Sequence, residues 1–216
     1  NFLSMVSSMA LASMAFFSCG SPQAGETGLR TDALDESAWE SSVWISAADA
    51  DVVDVKVPDD RWHAASGASW FVSVQKNEGK VVSAKWMTAG LGVYELYVNG
   101  NPIGEEFLKP GFTHYAKTKR SFTYDITDVF QTQAGNENVL SAQVTPGWWG
   151  DKIITPSGNE GMHGKKCAFR GVLELTYSDG SKKLYGTDPK NWKAGIAGPV
   201  KHAAIFDGEI YDAREP

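Results

Sequence analysis

Cysteine and histidine are scarce in this 216-residue chain, with two Cys and four His in total. So few thiols exclude a disulfide-rich scaffold, and the scattered histidines form no paired ligands of the kind zinc sites use. A surplus of positive charge is missing too. Twenty Lys and Arg stand against 26 Asp and Glu, a net charge of −6 with a pI near 5.2. The field of the whole protein therefore repels polyanions, and nucleic acid is excluded as the expected partner. Sustained helical periodicity, internal repeats and low-complexity tracts are likewise absent. What is present is an apolar, aromatic sequence: 42% hydrophobic residues, 12% aromatics and eight Trp, enough for one or two cores and incompatible with a disordered chain.

Residues 1–18, NFLSMVSSMALASMAFFS, carry no charge and lead into Cys19-Gly20-Ser21. This has the character of the apolar part of an export signal. "FFSCG" resembles a bacterial lipoprotein cleavage box, with small Ser18 before a Cys19 that would receive the lipid; Phe16 replaces the usual branched aliphatic. The expectation is an exported lipoprotein held on a membrane through Cys19, in the periplasm or at the cell surface; a plain secretory signal or a short hydrophobic anchor is the alternative. With Cys19 lipidated, Cys167 has no intrachain partner and reads as a buried structural thiol. Residues 20–38 are rich in small, polar and turn residues and read as a tether, so the division expected is signal 1–19, tether 20–38 and folded module 39–216.

From Trp39 onward the pattern is β. "ASWFVSVQ" (68–75) and "VVSAKWMTA" (81–89) are runs of β-branched and aromatic residues. In the second, Val82, Ala84 and Trp86 alternate with Ser83, Lys85 and Met87. Tyr94, Leu96 and Val98 share one strand face before Asn99-Gly100, a strong hairpin signal, and Asp179-Gly180 marks another turn. "RSFTYDI", "NVLSAQVT" and a last strand in "AAIFDGEIYD" complete seven or eight short strands. The fold class expected is all-β, an antiparallel β-sandwich of jelly-roll type.

Seven segments, "GLGVYELYVNGNPIG", "LKPGFTHY", "SFTYDITD", "TPGWW", "YSDGS", "NWKAGIAGP" and "DGEIYDAR", resemble in order and spacing the N-terminal β-sandwich module of bacterial α-L-rhamnosidases, over roughly Val81 to Arg214. Phe112 stands where that family often has Trp, and Thr145-Pro146 precede Gly147 where an acidic-Gly step is common. The resemblance implies a module that precedes a catalytic toroid of paired helices, which these 216 residues do not contain. It implies a rhamnose-containing carbohydrate and a downstream catalytic domain of the same polypeptide as partners. Glycoside hydrolysis needs two carboxyl groups facing one bond. Glu105-Glu106 reads as a solvated loop and Asp212 with Arg214 as an ion pair, so no catalytic residue is assigned.

In the stretch 108–128, Phe122 and Tyr124 occupy the inner face of a strand and the cations Lys117, Lys119 and Arg120 precede it; His114 and Tyr115, after Pro110-Gly111, are placed to reach a groove. The stronger ligand candidate is the long loop 145–166. There Trp148 and Trp149 are adjacent, and on an extended chain they would point oppositely, one to the core and one to solvent. An exposed indole suits the apolar C–H face of a pyranose, and a 6-deoxy sugar adds a methyl group to that contact. Asp151, Lys152 and His163 are the polar groups available to hydroxyls. Packing of both tryptophans against a neighbouring domain is the alternative. Some modules of the resembling family bind rhamnose through calcium; Asp151, Asn159 and Glu160 are the oxygen donors this loop would offer.

Overall fold

The computed structural model describes residues 34–47, 67–151, 163–164, 166–196 and 198–215; the readings at Cys19, Lys152, Asn159 and Glu160 lie outside them. Eleven strands are found there: β1 (Ser69–Lys76), β2 (Val81–Leu91), β3 (Val93–Val98), β4 (Asn101–Ile103), β5 (Ser121–Asp125), β6 (Glu137–Thr145), β7 (Ala168–Tyr177), β8 (Lys182–Gly186), β9 (Lys193–Gly195), β10 (Val200–Ala204) and β11 (Gly208–Tyr211). A five-stranded sheet in the order β4-β3-β6-β1-β9 faces a four-stranded sheet β5-β2-β7-β8, and β10 pairs with β11. Every pairing is antiparallel. The all-β sandwich expected from the strand pattern is what the chain forms.

The inner faces follow the pleat. Phe71 on β1, Tyr94, Leu96 and Val98 on β3, and Ala142 and Val144 on β6 are wholly buried against Ala84, Trp86, Phe169 and Leu175 of the opposite sheet. Phe169 is the hub: its ring lies 5.9 Å from Phe71, 6.0 Å from Trp86, 6.3 Å from Tyr94 and 5.6 Å from Trp192. Gly171 makes room for Trp86, since a Cβ there would stand 2.9 Å from the indole nitrogen. Buried Cys167 borders this core, and burial pushes its thiol up to about 12.

Three asparagines close one end. Asn138, fully buried, accepts from Asn99 Nδ2 (2.9 Å) and Gln131 N (2.7 Å) and donates to Asn77 Oδ1 (3.3 Å). Asn99 thus ties its own hairpin turn, in which Asn99 (φ 52°) and Gly100 (φ 82°) are both left-handed, to two neighbouring loops.

Three local expectations need correction. A bulge between Val81 and Ser83 shifts the register of β2, so Val81 is buried and Val82 is 51% exposed; only Ala84 and Trp86 of the expected face point inward. The segment "AAIFDGEIYD" is a hairpin, β10 turning into β11, rather than one strand. β11 ends at Tyr211, so Asp212 and Arg214 form their ion pair (2.6 Å) beyond the strand.

Asp32–Pro216 is one compact unit. The folded part therefore starts within the segment read as a tether. A 3₁₀ helix, Glu36–Ser41, is capped by the Asp35 carboxylate on Ser37 N and lies on the outer face of the four-stranded sheet, where Ala38 is buried with Met87 and Val172. Arg170 on β7 clamps it. The guanidinium donates to the carbonyls of Trp39 and Ser42, donates to Ser42 Oγ (2.9 Å) and sits 5.0 Å over the Trp39 ring.

Candidate functional site

Where β6 ends, the chain turns sharply. Pro146 has a helical φ of −52°, Gly147 has φ +41°, and Gly147–Gly150 closes one helical turn through bonds from Gly150 N and Asp151 N back to Pro146 and Gly147 carbonyls. Gly147 is obligatory there, because a Cβ would stand 2.3 Å from Val93 Cγ2. Trp148 and Trp149 are therefore about 100° apart on a helical turn and not on opposite faces of an extended chain. Neither enters the sandwich core, and both are half-buried.

Their surroundings differ. Trp149 is the inner one: its Nε1 donates to Lys166 O (3.0 Å), its ring lies over Gly164, and the edge of Tyr115 meets it at 5.2 Å. Tyr115, expected at a groove, is only 2% exposed, and burial pushes its hydroxyl up to about 12. His163 joins this inner group, 5.1 Å from Tyr115 and stacked 6.4 Å from Trp149. Trp148 is the outer one. Its Nε1 donates to Leu108 O (3.1 Å) and its ring meets Phe112 edge-on at 6.4 Å. Phe112 is 58% exposed, and Phe107 (62%) and Leu108 (45%) stand beside it in sequence. Trp148 and Phe112 make an aromatic corner facing solvent.

The corner is held by a buried cation. Lys109, with no exposed side-chain surface, donates to Ile103 O (3.0 Å), pairs with Glu95 (3.3 Å) and lies 5.7 Å from the centre of the Tyr124 ring. Burial pushes the Glu95 carboxyl above its usual range, with the Lys109 ammonium pulling the other way. Leu108, next to that anchor, has φ +53°, an unfavourable conformation for a branched side chain. Its carbonyl gains two donors there, Gly111 N (3.0 Å) and Trp148 Nε1.

The remaining candidates fall elsewhere. His114 is exposed, and its carbonyl accepts from Lys117 N and Thr118 N. Lys119 reaches Tyr115 O (3.0 Å) and Arg120 lies 5.5 Å over Phe122, so these cations serve the loop itself. Asp151 is only 7% exposed, and its Oδ2 accepts from Ile205 N, tying β10 to the helical turn. Among the described residues no three His, Cys, Asp or Glu side chains converge on a point. Sequence reasoning missed Phe107, Leu108 and Lys109; the Pro-Gly step at 146–147 was the available signal for a turn in place of an extended pair.

A family profile described as the α-L-rhamnosidase N-terminal domain matches residues 79–216. The chain belongs to that family. Its relatives include the α-L-rhamnosidase of Streptomyces avermitilis, 36% identical over 141 residues that make up 63% of this chain and 12% of that protein. That of an Alteromonas species is 35% identical over 136 residues, 62% of this chain and 14% of the relative. Among solved structures, an α-L-rhamnosidase from Aspergillus terreus superposes with a TM-score of 0.72 at 27% identity, covering 84% of this chain and 20% of that one. The Streptomyces avermitilis α-L-rhamnosidase complexed with L-rhamnose gives a TM-score of 0.61 at 34% identity, covering 70% and 14%. The chain spans 12% to 21% of the curated relatives it matches. The α-L-rhamnosidase N-terminal domain seen here extends beyond the matched residues, since the Glu36–Ser41 helix and β1 precede residue 79.

Proposed function

We propose that this domain is the non-catalytic, carbohydrate-contacting module of an exported α-L-rhamnosidase, and that hydrolysis is performed by another part of the same polypeptide. The observation that carries the reading is the Trp148–Phe112 corner: a half-buried indole, fixed by its hydrogen bond to Leu108, beside an aromatic ring more than half exposed. Such rings offer a flat apolar surface to the C–H face and methyl group of a 6-deoxy pyranose. Calorimetric titration with L-rhamnose, in calcium and in EDTA, tests it. Saturable heat in the parent, weakened about fivefold or more by Trp148→Ala, supports the reading at the ~1 kcal/mol scale of one aromatic contact; no heat in the parent overturns it.

A second reading is favoured by Phe107 and Leu108. Their exposure extends the corner into an apolar patch of the sort that packs against another domain, here the remainder of the enzyme. On that reading Phe107→Ser with Leu108→Ser improves the solubility of the isolated domain and leaves sugar binding unchanged.

Export rests on the uncharged segment 1–18 and Cys19. Lipid anchoring requires that Cys19→Ala abolish acyl labelling and release the protein from membranes; unchanged membrane association points to a hydrophobic anchor instead.

A further inference from the structure

The two outer faces of the sandwich differ. The four-stranded sheet is partly covered by the Glu36–Ser41 helix, whereas the five-stranded sheet leaves the cross-strand pair Val74 (57% exposed) and Val139 (41%) on its outer face. The pleat fixes what else stands there. Phe71, Leu96 and Ala142 point into the core, so Trp70 on β1, Glu95 and Tyr97 on β3, and Ser141 and Gln143 on β6 point out. Trp70 lies opposite Gln143, and Tyr97 opposite Ser141. The two aromatics therefore flank β6 from either side.

Their rings meet across that strand, with centroids 6.0 Å apart and 33° between the planes, and both residues are half-buried. The neutral polar groups around them are unengaged. Among the described residues none hydrogen-bonds the Tyr97 hydroxyl, the Ser141 hydroxyl or the Gln143 side-chain amide, and none of these atoms is sealed from solvent. Glu95 is the exception, held by Lys109 at 3.3 Å.

We propose that this face is a second ligand site, taking two consecutive units of a neutral, soluble glycan chain laid across β6: one pyranose at each ring, with hydroxyls on Gln143, Ser141 and Tyr97. The separation of the rings is close to the advance per unit of a pyranose chain, so neighbouring units meet neighbouring rings. Planes tilted by 33° suit a single twisting chain better than the flat surface of packed chains. An amide and two hydroxyls both donate and accept, as sugar hydroxyls require. A protein surface docked here would have to match each of these groups or bury it unpaired, and a net charge of −6 disfavours a polyanion. The site does not rest on the Trp148–Phe112 corner.

The test is an NMR titration of the full chain with cellohexaose, xylohexaose and maltohexaose, with glucose as the single-ring arm. At least one hexaose is expected to shift the Trp70 indole and Gln143 side-chain amide resonances saturably, with glucose at least about fivefold weaker. Trp70→Ala and Tyr97→Ala should each weaken that hexaose about fivefold or more, the scale of one aromatic contact. Gln143→Ala, which leaves both rings in place, should weaken it about threefold, the scale of one hydrogen bond. Trp148→Ala should leave hexaose binding unchanged, so loss of the L-rhamnose response alone speaks only to the corner. Absence of saturable shifts with all three hexaoses, glucose binding as tightly as a hexaose, or full affinity in both Tyr97→Ala and Gln143→Ala would each overturn the second site. A dimer that Tyr97→Ala dissociates, with no hexaose response in the parent, would overturn it too and assign the face to a second copy of the chain.

Discussion

Replacing Arg170 by Met should detach the Glu36–Ser41 helix from the sheet without emptying the core. The guanidinium makes three hydrogen bonds, to Trp39 O, Ser42 O and Ser42 Oγ, and lies 5.0 Å over the Trp39 ring. Met keeps the apolar stem but leaves two carbonyls to find water. A hydrogen bond to a charged group is worth about 1.5–3 kcal/mol and a cation–π contact about 0.5–1 kcal/mol. The bonds share one donor group and do not add, so a loss of about 3 kcal/mol is expected. Urea unfolding followed by Trp fluorescence measures it. Limited proteolysis supplies the local readout, with new cleavage within residues 34–45, because release of this segment uncovers Met87 and Val172. Arg170→Lys should recover less than half, since one ammonium cannot reproduce the planar fork that spans both carbonyls. A loss below about 0.5 kcal/mol with an unchanged cleavage pattern, or full recovery by Lys, would refute the clamp; the first is the range of an ordinary surface substitution.

Three further outcomes follow from the geometry. Trp149→Ala should cost about 2–3 kcal/mol, less than a fully buried Trp, whereas Trp148→Ala should cost under about 1.5 kcal/mol; thermal unfolding of the two variants separates the inner ring from the outer. The Cys167 thiol is raised from 9.0 to about 12 by burial, so its contribution is fully present below pH 9 and is lost as pH rises, once the unfolded thiol ionises. The parent should therefore lose up to about 1.4 kcal/mol per pH unit relative to Cys167→Ala between pH 9 and 12, measured by urea unfolding. Val81→Ala should cost about 1–2 kcal/mol and Val82→Ala less than about 0.5 kcal/mol, which denaturant midpoints would check against the bulged register.

Alternation and turn chemistry made most of the sandwich legible. Tyr94, Leu96 and Val98 all fall on the core face, and Asn99-Gly100 and Asp179-Gly180 turn the hairpins, with Asn99, Gly100 and Gly180 in the left-handed region. Features set by distant partners left no local trace. The segment around Glu36–Ser41 has the composition of a linker, and it is partners more than 120 residues away in sequence, Arg170 at its helix and Phe169 and Thr187 just after it, that make it part of the fold. A bulge moves Val82 to the surface without altering the apolar pattern of β2. At the candidate site the Trp pair was evident as a feature, but its geometry was not. Pleated alternation fails there because Pro146 and Gly147 start a helical turn. Lys109 reads as one of several solvated cations until Glu95 and Ile103 are seen to enclose it.

The most direct test of the carbohydrate-contacting corner is to follow the indole Nε1–H resonances of the folded domain while adding L-rhamnose. Trp148, whose Nε1–H is held by Leu108 O beside exposed Phe112, should shift saturably, while Trp86 in the core stays still. A titration to saturating sugar in which the Trp148 resonance does not move, or moves no more than that of Trp86, would contradict the account.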